Sequence, residues 1–201
     1  MQFIKDIHTH QIEIDKSVFI AILFPLTSID DIKNHIETSK QMYPKANHYC
    51  SASLFGEGLE HATSNDDGEP NRTAGVPILE VLKHHQITNV LCVVVRYFGG
   101  IKLGAGGLVR AYTKATSEVL KHASFYLKKE MSGYEIIFDY PYIQNVDYLL
   151  DGIAIIKDKA YGEHVTYRFY FKEKDISIFN DLKHQFISIK ALDTQTLYVK
   201  V

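Results

Sequence analysis

Between Glu80 and Glu118 the chain carries no acidic residue, while Lys83, Arg96, Lys102, Arg110 and Lys114 all fall inside that stretch. So unbalanced a segment attracts polyanions whatever the charge of the rest of the molecule. Arg110, Lys114, Ser117 and Lys121 recur at intervals of four, three and four, which places them on one face of a helix. Leu108, Ala111, Tyr112, Ala115 and Val119 take the opposite face. The pattern predicts a helix from Leu108 to His122 with a core side and a cationic stripe suited to following phosphates.

Gly99, Gly100, Gly104, Gly106 and Gly107 stand just before that helix, with Lys102 among them, after the valine-rich apolar run Val90 to Val95. Unhindered backbone N–H groups at a positive helix N-terminus can hold an anion. The same glycines serve equally well for positive φ or close packing of helix on strand. Ala105 and Gly106 occupy the positions where a phosphate-binding loop of the nucleotide hydrolases has Lys and Ser or Thr, and the dinucleotide-binding spacing of glycines is missing, so nucleotide hydrolysis is poorly supported. Tyr97 and Phe98 adjoin the glycines; one of the two is expected exposed, where an aromatic ring can stack on a base.

Upstream, Asp66, Asp67 and Glu69 form a compact acidic loop. Oxygen ligands at this spacing can converge on a hard cation such as magnesium, which would make the domain a metal-dependent hydrolase or phosphotransferase. The preferred reading is that the carboxylates pair with Arg96, Arg110 or Arg72 and pin the loop, because half-buried charges need partners. The ten histidines are scattered, with His8 near His10 and His84 beside His85, and read as surface or capping groups. No serine or cysteine sits in a nucleophile pattern. No catalytic residue, metal or cofactor is therefore assigned.

The elements that must position these groups follow from periodicity. Phe3 to Ile14 and Val18 to Phe24 read as neighbouring antiparallel strands. Ser28 and Asp31 open a helix through Ile32 and Ile36 that Pro44 stops. His48 to Phe55 alternates as a strand, Gly56 to Gly75 reads as a long loop, and Pro77 to Leu82 as a short helix. Val90 to Val95 is a buried central strand. A boundary between Phe125 and Gly133 divides domains at 1–124 and 134–201. The second reads strand (Tyr134 to Tyr140), helix (Ile143 to Leu150), strands (Ile153 to Lys159 and Glu163 to Phe171), helix (Ile176 to Phe186) and strand (Leu192 to Val201), a ferredoxin-like βαββαβ order.

The bulk numbers agree with an α+β globular protein: 46% hydrophobic, 23% charged, with 11 Phe and 13 Tyr for the cores. A net charge of −2 offers no broad attraction to nucleic acid or membrane, so any basic footprint is local. Cys50 and Cys92 lack paired metal spacing and read as reduced core residues. Met1 to His10 lacks the features of a secretory signal and no apolar run is long enough to span a membrane; a cytoplasmic protein without a membrane partner is expected.

DDGEP (Asp66 to Pro70), TAGVPILEVL (Thr73 to Leu82) and VVVRYFGGIKLGAGGLVRAYTKA (Val93 to Ala115) resemble the motifs of the IMPACT family, bacterial YigZ branch. Lys16, Ser17 and Phe19 resemble the family's early strand motif, and the tail is similar to the C-terminal domain of its bacterial members. Asn71 and Arg72 depart from the pattern, which usually has small residues there. The resemblance implies an N-terminal domain of the ribosomal protein S5 domain 2-like type and a C-terminal ferredoxin-like domain, together similar to the last two domains of elongation factor G. It also implies kinship with a eukaryotic regulator of translation that restrains a starvation-responsive kinase by competing for its coactivator, and it brings no catalytic mechanism. The leading expectation is a non-catalytic protein that recognises structured RNA or the ribosome through the basic, glycine-rich surface. A translation-regulatory protein is the alternative partner.

Overall fold

The computed structural model describes residues 1–56, 58, 60–172 and 183–201. They form a mixed α+β architecture with two β-sheets and four α-helices, divided into one unit of Met1–Leu127 with Lys200–Val201 and another of Lys128–Val199. No helix is long and apolar enough to cross a membrane among the described residues.

The first unit's main sheet contains β2 (His8–Ile14), β3 (Ser17–Pro25), β4 (His48–Phe55), β5 (His61–Asn65) and β6 (Val90–Tyr97) in the order β2-β3-β6-β4-β5, every pair antiparallel. β2 and β3 are joined by Asp15 and Lys16, whose φ values of 47° and 63° make the tight turn that suits the twist of a hairpin. The run Phe3 to Ile14 is not one strand. Gln2–Phe3 forms β1, which pairs with Leu127 and Tyr126, and only His8 to Ile14 pairs with β3. β5, inside the expected long loop, carries only small and polar residues, all exposed, so it shows no apolar alternation. As an edge strand it needs none.

Both faces of this sheet are covered, which explains the continuous apolar runs of β3 and β6. One face packs Phe19, Ala21, Cys50, Ala52, Cys92 and Val94 against α2 (Gly75–His84) and α3 (Gly104–Lys121). The other packs Ile20, Ile22, Phe24, Leu91, Val93 and Val95, with Ile32 and Ile36 of α1 (Asp31–Met42) against them. At the start of α1 the Asp31 carboxylate accepts from Thr27 N and Ser28 N at 3.2 and 2.9 Å, the acidic half of a capping box. α3 starts at Gly104, one turn earlier than expected, so the last three glycines are its first turn.

In the second unit β8 (Ala154–Tyr161) pairs with β9 (Val165–Phe171), β9 with β7 (Tyr126–Phe138), and β7 with β10 (Phe186–Lys200). Val146, Leu149 and Leu150 of α4 (Ile143–Leu150) share a core with Ile136, Phe138, Tyr167 and Phe169. Of the helix expected from Ile176 to Phe186, residues 176–182 lie outside the described residues; Lys183–Gln185 form a 3₁₀ turn and Phe186 begins β10.

α2 begins where β5 ends in space: a Cβ on Gly75 would stand 2.6 Å from the backbone nitrogen of Asn65. Gly75→Ala is expected to lower stability by about 1–3 kcal/mol. Urea unfolding should show a lower midpoint with an unchanged slope.

Candidate functional site

The acidic loop and the end of β6 meet under the first turns of α3. Arg96, the penultimate residue of β6, is 5% exposed and donates from Nη1 to Oε1 of Glu69 at 2.6 Å. The same carboxylate oxygen accepts the hydroxyl proton of Tyr112 from α3 at 2.8 Å. Arg96 Nη2 reaches Ser17 Oγ at 3.4 Å, and the guanidinium lies 5.3 Å from the ring centre of Phe19 and 5.5 Å from that of Phe98. Phe19 in turn meets Tyr112 edge to face at 5.3 Å. These residues come from β3, the acidic loop, β6, the glycine segment and α3, so one ion pair ties together five parts of the chain.

Asp66 and Asp67 are committed elsewhere. Asp66 Oδ1 accepts from Ala74 N and Gly75 N at 3.0 and 2.8 Å, and Oδ2 from Arg72 N at 2.7 Å. It is thus a cap for α2 supplied from upstream in the chain. Arg72 closes the turn with φ 62°, a conformation that small residues such as glycine enter more easily. Asp67 Oδ2 accepts from Tyr49 N at 2.7 Å, while its carbonyl oxygen lies 2.8 Å from His48 Nδ1. The three carboxylates therefore diverge onto three separate sets of protein donors. Convergence on magnesium, and the hydrolase reading built on it, loses its ground.

Burial pulls the Asp66 carboxyl upward, but the N–H groups of Arg72, Gly75 and Ala74 outweigh it and hold the pKa below the ordinary value. Cys50 lies behind the loop, its Sγ 2.9 Å from Asp66 O and 3.2 Å from the Tyr112 hydroxyl. Burial, reinforced by the nearby Glu69 charge, pushes its thiol up to about 12. The Tyr112 hydroxyl is raised by burial, with Cys50 and Glu69 adding to it. Both groups stay neutral and inert at physiological pH.

The glycine segment is anchored at its start. Phe98 N donates to Asn47 Oδ1 at 2.8 Å and Gly99 N to Ser17 Oγ at 3.2 Å. A side chain on Gly99 would overlap the backbone of Lys16 and Ser17. Gly100 and Gly104 have φ of 85° and 68° with open space around them. Gly106 lies under the Arg110 guanidinium and Gly107 packs on Leu103.

The sequence treats five cations as one group, and the structure separates them. Arg96 is withdrawn into the Glu69 pair and does not stand on an open face. Lys102, Arg110 and Lys114 are exposed, and no carboxylate lies within ion-pair distance of them among the described residues. Lys83 and Lys121 pair with Glu80 and Glu118 at 3.0 and 2.8 Å. Tyr97 donates its hydroxyl proton to Pro44 O at 3.1 Å, whereas the Phe98 ring is 46% exposed. Sequence reasoning missed the roles of Ser17 and Tyr112. The apolar periodicity of their elements hid them, and their signal is the resemblance of the segments that hold them, Lys16 to Phe19 and Val93 to Ala115, to family motifs.

Residues 15–120 match the family model for the Impact N-terminal domain, a span that contains the whole Arg96–Glu69 network and the basic stripe to Lys114. The IMPACT family member YvyE of Bacillus subtilis is 39% identical over 179 residues, which are 89% of this chain and 82% of YvyE. The IMPACT family member YigZ of Escherichia coli is 34% identical over 151 residues, 73% of this chain and 74% of YigZ. A crystal structure described as that of a hypothetical protein superposes with a TM-score of 0.61 at 28% identity, covering 95% of both chains.

Because Asp66 is held below its ordinary pKa in the fold, its stabilising contribution is present above the unfolded value of about 3.9 and disappears as pH falls through the folded one. Asp66→Asn should unfold at lower denaturant than the parent at pH 7. The difference should shrink as the pH is lowered through that window, read by urea midpoints across an acid series.

Proposed function

The chain belongs to the IMPACT family, and we propose that it is a non-catalytic, translation-associated protein that binds structured RNA or the ribosome through Lys102, Arg110 and Lys114. The observation that carries this reading is that these three side chains are exposed and form no ion pair among the described residues, while Asp66, Asp67 and Glu69 are engaged elsewhere and Glu118, one turn from Lys114, pairs with Lys121. Arg110 and Lys114 are one helical turn apart, so a phosphate backbone can run along α3.

The first turn of α3 supports the same reading. Its N-terminus has no side-chain cap among the described residues, three of its first four residues are glycines, and the Arg110 guanidinium folds back over Gly106. Backbone N–H donors and a guanidinium at one helix end favour a phosphate over a neutral ligand. Gly100 and Gly104 leave the backbone open to close approach. Phe98 and Ile101, exposed beside them, offer apolar surface on which an unpaired base can rest. Arg96 has no part in touching the ligand; it holds the loop that frees the others.

Phosphate binding releases counterions, so affinity should fall steeply with added salt. In co-sedimentation with ribosomes at several salt concentrations, replacing Arg110 and Lys114 by Gln should weaken binding and reduce the salt slope by about one for each side chain that binds a phosphate. Replacing the exposed Lys157 and Lys190 should leave both unchanged. Equal weakening by the two pairs, or a salt-resistant protein partner with no affinity for ribosomes, would overturn the assignment.

A further inference from the structure

We propose that His10, Glu118 and His122 form a binding site for a divalent transition metal, with zinc the best fit. One imidazole nitrogen from each histidine and a carboxylate oxygen of Glu118 lie within 4.8 Å of one another. The histidines read as scattered in the sequence, yet the fold brings two of them together. Glu118 and His122 are four residues apart at the end of α3, where a helix presents two ligands side by side.

The placement of His10 is governed by the register of β2. His8, His10, Ile12 and Ile14 are its half-buried positions, and Thr9, Gln11 and Glu13 its exposed ones. Ile12 and Ile14 pack against the core beneath α3. The same face then continues past the core as two imidazoles where periodicity calls for apolar residues. His8 is engaged with Ser124 N at 3.4 Å. His10 instead stacks on His122, ring centres 4.4 Å apart and planes 19° from parallel.

The chemistry suits zinc. Two imidazoles and a carboxylate are a common three-ligand set, leaving a fourth tetrahedral position for water. Bonds of about 2.0–2.2 Å place tetrahedral ligand atoms roughly 3.3 Å apart, so binding requires the three groups to draw together and the stacked rings to splay. The terminal torsion of an imidazole has a broad energy well that permits this. Glu118 Oε1 accepts from Lys121 Nζ at 2.8 Å, and its other oxygen has no hydrogen-bond partner among the described residues. Hard, oxygen-seeking cations such as magnesium favour carboxylate and water ligands, and two imidazoles select against them. A bound ion would clip β2 to the end of α3. The site uses none of Lys102, Arg110 or Lys114, and His10 and His122 lie outside the span matched by the family model, so it stands independently of the RNA reading.

The test is zinc titration by calorimetry on the full chain after chelator treatment, with cobalt(II) as a spectroscopic probe. One equivalent should bind, and cobalt should give the intense visible bands of a four- or five-coordinate site. His10→Ala, Glu118→Gln and His122→Ala should each weaken zinc by at least about tenfold, while His84→Ala with His85→Ala should not. Metal-free melting curves identify any variant that fails to fold; Glu118→Gln, which keeps shape and removes charge, decides in that case. No heat, a pale octahedral cobalt spectrum, or affinities unchanged in the three variants would overturn the proposal.

Discussion

A guanidinium and a carboxylate 2.6 Å apart, each with a side chain less than a tenth exposed, are the constraint on which the first unit depends. Removing two charges from water costs several kcal/mol per ion, and their attraction offsets this only where geometry is good and further hydrogen bonds are supplied. Here Tyr112 donates to Glu69, Ser17 accepts from Arg96, and two aromatic rings flank the guanidinium. Within that guanidinium, Nε has no hydrogen-bond partner among the described residues. Such an arrangement tolerates no slippage, since shifting β6 against the acidic loop would strand a buried charge. The pair thus fixes the loop, the loop delivers Asp66 to the start of α2, and Tyr112 links both to α3.

The consequence for function is a division of labour among like-charged residues. Arg96 holds the fold together, and the carboxylates upstream are committed to it and to backbone donors. None of them remains to neutralise Lys102, Arg110 or Lys114. A protein of near-zero net charge can therefore present a local cationic face, and the glycines that lead into α3 keep that face clear of side chains.

Much of this is legible in the sequence. The central strand from Val90 and the helix through Arg110 and Lys114 follow from an unbroken, valine-rich apolar run and from a clean 3.6-residue period. The preference for pinning over metal at Asp66, Asp67 and Glu69 rests on the cost of unpaired buried charge; of the expected arginine partners only Arg96 forms an ion pair among the described residues, with Glu69, and Asp66 and Asp67 are held by backbone N–H groups instead. The features hidden from the sequence are long-range. The helical stripe marks Arg110 as outward-facing, but the burial of Arg96 at the end of a strand depends on Glu69, 27 residues upstream, reaching the same sheet face. β5 gives no sign of itself because an exposed edge strand carries no apolar signal. His10 and His122 give none because they stand at opposite ends of the first unit's sequence, and only the fold stacks them together.

The central claim is that Glu69 and Arg96 act as one unit, and a double-mutant cycle addresses it directly. Arg96→Met and Glu69→Leu should each destabilise strongly, about 3–5 kcal/mol, because each leaves a buried charge alone. The double variant should be far less damaged than the sum, with a coupling energy of roughly 2–3 kcal/mol from urea unfolding. Additive effects would mean that the two side chains are held independently, and the account of the loop, and of the surface it frees, would not stand.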